Sequence, residues 1–369
     1  MLIPNISRFL GTLVLPLLLA GCNSTIAAKF VAAPNRDLAI RGQDAPQAVL
    51  DEHHVSRQLR VNVGPPNASL SVWIVDPVSS PATVSLTAGP TADDLPIARL
   101  TILPQTQPSP ADRPTKGTIF LLHGLNDTKE FVTYEFYSFG IACQGYRVVL
   151  VDLRGHGRST GDRIAYGAYE AHDLVQVLTV LQAQGLIVGN VGVVGISYGA
   201  AVGICWAGID SRVKAVVAME PFSSLRDAAF DAGQDMLIGL PRIFTRHDLN
   251  DITNQIGQID GFDPDRQSPL YAISHMTTPV LLIHGKQDTF LHPQHSIRLH
   301  QADPDHSELI LVSGADHFDL WYTAVTMIKY ESNHWFDRYL ATTRPSEQSP
   351  SQSPGQPAAQ SAAQSASAR

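Results

Sequence analysis

The sequence predicts an α/β fold built on a mostly parallel, doubly wound sheet. Short apolar runs rich in β-branched residues recur from Thr118 onward, too brief for helices and too continuous for half-exposed strands. Helix-compatible stretches separate them, so the strands must be joined by crossovers that pack on the sheet with one hand. Before these runs the pattern is different, with shorter alternating segments that read as antiparallel strands leading into the sheet. At 369 residues, 44% hydrophobic and 16% charged, the chain can bury one sizeable core. A net charge of −8 gives no electrostatic reason to expect a nucleic-acid partner.

In chain order, Arg8 precedes an apolar run, Phe9–Ala20, interrupted by Pro16. The run is shorter than the roughly 20 residues needed to span a bilayer, so 1–21 reads as a signal peptide. It ends in Leu19-Ala20-Gly21-Cys22, which resembles the lipobox of bacterial lipoproteins, where the cysteine carries the lipid. That resemblance implies a membrane partner through Cys22 and a cell-envelope location. Asn23 after the cysteine is similar to an outer-membrane address. Residues 22–45 lack sustained periodicity and are expected to be a flexible tether. The domain proper is expected at 46–342. The Ser/Gln/Pro/Ala tail, 343–369, has too little apolar surface to order itself.

Within the domain, Gln58–Val63, Ser69–Val75 and Ala98–Leu103 are the alternating runs, followed by a Pro-rich loop at Gln105–Pro114. The buried strands are expected at Thr118–Leu122, Arg147–Val151, Val191–Val194, Ala215–Met219, Val280–Ile283 and Leu309–Val312. Tyr166–Gln184 and Ala200–Ala207 are expected helices. An insert at 221–275 begins with Ser224-Leu225-Arg226-Asp227, a capping-box pattern. It carries apolar residues at Met236–Leu240 and reads as a small helical cap, because insertions of this length are usually functional, or else as a helical hairpin packed on the core. Cys143 and Cys205 are the cysteines left besides Cys22, and both are expected to be free.

The chemistry concentrates at three strand ends. Gly195-Ile196-Ser197-Tyr198-Gly199 directly follows the third buried strand and precedes a helix. A serine on such a tight turn projects its hydroxyl beyond the sheet, and the glycines avoid collisions with neighbouring backbone. Asp288 lies just past Val280–Ile283, and His317 just past Leu309–Val312, where doubly wound sheets place their ligands. A serine hydroxyl needs a neutral imidazole to take its proton, and a carboxylate to fix that imidazole.

The order Ser197, Asp288, His317 resembles that of the α/β-hydrolase superfamily, and the stretch from about Gly117 to Leu340 is similar to its serine-aminopeptidase-like and short-chain carboxylesterase branch. His123-Gly124-Leu125 matches that family's oxyanion turn, and Asp152–Ser159 matches its loop after the next strand. The resemblance implies Ser197 as nucleophile, His317 as base, Asp288 as orienting acid, and the backbone N–H groups of Leu125 and Tyr198 as the oxyanion pair. It implies hydrolysis of a small ester or acyl substrate through an acyl-enzyme. Nothing in the sequence calls for an organic cofactor or a metal. An aminopeptidase or amidase on the same triad, and a non-catalytic envelope-binding lipoprotein, are the alternatives.

Several residues compete for these roles. Glu220 directly follows Ala215–Met219 and is the rival acid. Among the 14 histidines, His123, His156 and His284 are expected to order backbone. His53-His54 and the His292/His295 pair lack the companions a metal site needs. Glu170 and Asp173, on the Tyr166–Gln184 helix, are expected to be solvated or capping groups.

Overall fold

The computed structural model describes residues 23–77, 82–89, 97–104, 115–130, 140–235 and 245–340. Its first two strands, β1 (Arg57–Val63) and β2 (Ala68–Val75), pair antiparallel. They are followed by β3 (Ala82–Gly89) and β4 (Ile97–Pro104), then by β5 (Thr118–Leu122), β6 (Arg147–Val151), β7 (Val191–Ile196) and β8 (Val213–Met219). The last two are β9 (Val280–Gly285) and β10 (Ser307–Val312). Eight of these form one sheet in the order β1-β2-β6-β5-β7-β8-β9-β10. Pairing is antiparallel through β1, β2 and β6 and parallel from β6 to β10. The alternating run at Ala98–Leu103 is indeed a strand, but it pairs with β3 in a separate ribbon and not with the sheet. The loop expected at Gln105–Pro114 lies outside the described residues.

The central strands are apolar because both faces are covered. Every residue of β5 and β9 is buried. One face is packed by α3 (Ala168–Ala183) and α4 (Tyr198–Ile209), and Phe120 of β5 meets Trp206 of α4 edge-on at 5.0 Å. Burying one such large apolar side chain contributes about 1.5–3 kcal/mol. The opposite face is packed by α10 (Val325–Leu340), through Ile328, Phe336 and Leu340. Helix α4 is apolar around its whole circumference, as a helix enclosed on all sides must be. Its glycines let neighbours approach: a Cβ at Gly203 would lie 3.0 Å from Val193. Ile141 and Ala142 pack in the cluster opposite to that of Cys205, and neither Cys143 nor Cys205 forms a disulfide.

Strand order explains where chemistry can sit. The chain steps from β5 outward to β6, then crosses back to β7 on the other side of β5. Loops leaving the carboxyl ends of β5 and β7 therefore diverge, and a crevice opens between them. The turn after β5 holds His123–Leu125, and the turn after β7 holds Ser197.

The insert forms α5 (Leu225–Asp235), α6 (Arg246–Asp260) and α7 (Pro269–Ile273). Half of the expected capping box forms: Ser224 Oγ accepts the Asp227 N–H at 3.2 Å, and it donates to the Asp227 carboxylate at 2.9 Å. Phe222, Leu225, Leu249, Ile252 and Ile256 bury into the core, so the described part of the insert is packed down on the body of the fold. Met236–Leu240 fall outside the described residues.

Residues 23–45 are not a free tether. The segment opens with α1 (Asn23–Phe30), which packs on α6. Ile26, Ala27, Val31 and Ala33 are buried, and Asn35 Nδ2 donates to the Gly157 and Ser159 carbonyls at 2.9 and 2.7 Å. Small apolar residues without a repeating face concealed this from periodicity, since the partner is distant in sequence. Cys22 and the 1–21 segment lie outside the described residues, as does the 343–369 tail.

Candidate active site

Ser197 sits at the junction of β7 and α4 with φ 50° and ψ −111°. A side chain in this region is strained by about 1–3 kcal/mol, so the surroundings must enforce it. They do so through Gly195 and Gly199. A Cβ at Gly195 would run into the Gly199 carbonyl, and one at Gly199 would run into the Leu122 carbonyl. The Ser197 N–H donates to the Met219 carbonyl at 2.7 Å, which pins the turn to β8.

The other two residues come from the next strand ends. His317 Nε2 lies 3.1 Å from Ser197 Oγ, and Nδ1 lies 2.7 Å from Asp288 Oδ2. A carboxylate only accepts, so the imidazole proton sits on Nδ1 and Nε2 presents its lone pair to the serine. The residues following β9 and β10 are laced together: Lys286 N–H donates to Val312 O at 2.8 Å and Gln287 N–H to Ala315 O at 3.0 Å. The spacing between Asp288 and His317 is thus fixed by backbone.

Asp288 is nearly fully buried yet held in its charged form. Burial pushes its carboxyl up, but hydrogen bonds from His284 and His317 outweigh this and bring it down to about 2. Its second oxygen accepts the N–H groups of Phe290 and Leu291 at 2.9 and 2.8 Å. The role of His284 is clear from its contacts. Its Nε2 faces Asp288 Oδ2 at 3.1 Å and Leu291 O at 2.8 Å, so that nitrogen carries the proton, while Nδ1 accepts from Ser296. The sequence marked His284 as ordering backbone; that it also grips the acid depends on a contact with Ser296 that the sequence does not reveal.

The turn that carries Leu125 lies against the turn that carries Ser197 and Tyr198. Tyr198 opens α4, so its N–H is one of the donors that a helix start leaves without an intrahelical partner. Across from it, a Cβ at Gly124 would lie 4.0 Å from Ser197 Cβ, which sets the Leu125 turn beside the serine. His123 shapes that turn, with Nδ1 2.8 Å from Gly124 O and Nε2 accepting Leu153 N–H at 2.9 Å. Lys129, which the sequence did not single out, braces the same loop from below. Its ammonium is fully buried against Asp152, donates to Ser71 Oγ at 2.9 Å and stands 4.4 Å from the centre of the Trp73 ring. Asp152 also accepts the N–H groups of Lys129 and Arg158 at 2.8 and 2.9 Å, tying the loops after β5 and β6 together.

The remaining candidates resolve by burial. Glu170 and Asp173 are buried, not solvated, and Glu170 caps the start of α3 as expected. Glu170 accepts the Ala165 and Gly167 N–H groups at 2.9 and 2.8 Å, and Asp173 makes a two-pronged pair with Arg154 at 2.7 and 2.8 Å. His295 is enclosed between Ser223 and Asp231, at 2.9 and 3.2 Å, where it links the insert to the loop carrying Asp288. His156 is buried with Nδ1 2.9 Å from Arg154 O. Glu220 is wholly buried, with Oε2 3.8 Å from His317 Nδ1 against 2.7 Å for Asp288. Asp288 therefore makes the hydrogen bond, and Glu220 does not. Glu220, Asp288 and His317 are close enough together to suggest a cation site, but a 2.7 Å contact between two of the donor atoms is too short to span an ion. A surface cleft of about 330 Å³ lined by Pro65, Tyr169, His172 and Phe262 contains none of the triad residues.

Residues 117–261 match the family model described as alpha/beta hydrolase fold. A structure of the Pyrococcus furiosus esterase Pf2001 superposes with a TM-score of 0.57 at 18% identity, over 82% of this chain and 98% of that one. The chain has the α/β-hydrolase fold. The same hydrolase-fold architecture is found in a Mycobacterium tuberculosis puromycin-hydrolyzing peptidase, at TM-score 0.54 and 17% identity over 77% of this chain and 39% of that chain. It is also found in a Pyrococcus horikoshii acylaminoacyl peptidase, at TM-score 0.52 and 15% identity over 82% and 45%. By sequence, the uncharacterized protein YqkD of Bacillus subtilis (strain 168) is 28% identical over 210 residues, covering 56% of this chain and 67% of that protein.

Proposed function

We propose that this chain is a serine hydrolase that cleaves carboxylic esters through an acyl-enzyme intermediate. The observation that carries the reading is the continuous relay from Ser197 Oγ through both nitrogens of His317 to Asp288. His317 takes the serine proton as Oγ adds to the ester carbonyl, and the resulting imidazolium is stabilised by Asp288. Negative charge on the carbonyl oxygen is met by the N–H groups of Leu125 and Tyr198, each such donor lowering the barrier by about 2.7–4 kcal/mol. His317 then returns its proton to the departing alkoxide. Water attacks the acyl-serine by the same steps in reverse.

Phe290 and Phe318 support an ester with an apolar portion. Their rings lie 5.0 and 5.2 Å from the His317 ring, and Phe318 is 59% exposed beside it. A lipid on Cys22 belongs to the same reading, supported by the Leu19–Cys22 sequence. Labelling with a fluorophosphonate probe, followed by a panel of esters, amides and peptides, tests the proposal. Ser197 should become covalently modified and short esters should turn over fastest. An unlabelled Ser197 in folded protein would leave a non-catalytic envelope protein, and faster turnover of peptides than of esters would make it a peptidase.

A further inference from the structure

Glu220 is an anomaly on four counts. It is fully buried, its carboxyl oxygens receive nothing beyond the approach of the Gly285 N–H, its φ is 52°, and it directly abuts the relay that already has its acid. Buried polar groups in native proteins are nearly always hydrogen-bonded, and strained backbone persists only where the surroundings impose it. Here the strain is imposed by the Glu220 N–H, which donates to Ile283 O at 2.9 Å and turns the chain so that the side chain enters the site. Gly285 makes room for it: a Cβ there would lie 3.2 Å from Glu220 Oε1.

The groups facing it are few. Asp288 and the Gly285 backbone come from the end of β9, with His284 on the far side of Asp288. His317, Asp316 and Asp319 come from the loop after β10. The donor atoms of Glu220, Asp288 and His317 all lie within 4.8 Å of one another. Two carboxylates at this separation inside a dry site, served by one imidazole, cannot both hold a negative charge. Asp288 accepts four hydrogen bonds, whereas Glu220 is approached only by the Gly285 N–H, so the charge resides on Asp288.

Resting on the hydrolase reading, we propose that Glu220 is a reserve acid for His317, a positioning residue that stays neutral beside Asp288 and ionises to take over its role when the Asp288 charge is removed. Only an O–H bond breaks in that change, and the proton leaves to water. Glu220 Oε2, at 3.8 Å from Nδ1, needs a displacement of about one ångström to reach hydrogen-bond distance. In the native protein, burial and then the Asp288 charge push the Glu220 carboxyl up to about 10. Removing the Asp288 charge therefore lowers it.

The test is the rate of fluorophosphonate labelling of Ser197 as a function of pH, in the full chain. Wild type, Glu220→Gln, Asp288→Asn and the double variant are compared, with circular dichroism to verify folding. Asp288→Asn should label faster than Asp288→Asn/Glu220→Gln, and the gap should open with rising pH to roughly tenfold or more. The pair Asp288→Ala and Asp288→Ala/Glu220→Gln runs in parallel, so that one poorly folded variant does not decide the result. If the members of each pair coincide at every pH while wild type labels, the reserve role is overturned and the hydrolase reading stands. If wild type does not label, both fall together.

Discussion

On the proposed reading Ser197, His317 and Asp288 act as one unit, so their losses should not multiply. Ser197→Ala should keep the wild-type circular dichroism and lose ester turnover to background, and His317→Ala should match it. The double variant should be no worse than either single one, because the relay is already broken. A clean preparation of Ser197→Ala with substantial turnover would remove the nucleophile assignment. Glu220 gives a prediction that does not need a substrate. Its folded carboxyl, at about 10, lies above the 4.5 of the free group, so between those values the folded state holds a proton that the unfolded state has released. Stability conferred by that proton is complete below 4.5 and is lost as pH rises toward 10. Glutamine has no proton to lose. The melting temperature of Glu220→Gln should therefore gain on wild type steadily from about pH 5 to about pH 9. A difference independent of pH would mean that Glu220 is ionised in the native protein.

Elements decide how well these residues are held. Lys129 and Asp152 clamp the loop after β5 to the loop after β6, and both side chains are fully buried. Removing one partner leaves the other charge enclosed without compensation, at a cost of about 3–5 kcal/mol. Lys129→Met should lower the urea midpoint by that measure, whereas Lys129→Met/Asp152→Asn should recover part of it. Equal midpoints for the single and double variants would show that the pair is not coupled. The main strands were legible because fully buried parallel strands leave continuous apolar runs, and the serine turn was legible because only glycines fit at Gly195 and Gly199. Lys129 was not, since a buried ammonium looks like a surface lysine until its partners, Ser71 and Asp152, are known to converge. Glu170 was legible as a capping group, and it does accept the Ala165 and Gly167 N–H groups at the start of α3, but its burial was not legible, because that depends on packing elsewhere.

At the scale of the whole molecule, the N-terminal segment changes what an anchor at Cys22 would do. The composition of 22–45 suggested a spacer, but α1 begins at Asn23, one peptide bond beyond Cys22, and its Ile26 and Ala27 are buried. The segment then runs to the loop after β6, where Asn35 N–H donates to Gly155 O at 2.9 Å and Gly42 N–H to Arg158 O at 3.0 Å. A lipid on Cys22 would thus attach at the foot of a packed helix, holding the domain close to the bilayer in one orientation. Two chain lengths separate anchoring from packing. A chain starting at Asn23 should be free of membrane, fold fully and keep its specific activity on short esters. A chain starting at Ala33 removes Ile26 and Val31 from the core and should lose about 3 kcal/mol or more. It should also lose part of its activity, since the loop after β6 that Asn35 braces is tied through Asp152 to the loop after β5. Cys22→Ser in the full chain should abolish incorporation of a palmitate analogue without lowering the melting temperature. Wild-type protein that carries no lipid and fractionates as soluble would end the anchor reading, and a chain starting at Ala33 as stable as one starting at Asn23 would end the packing one.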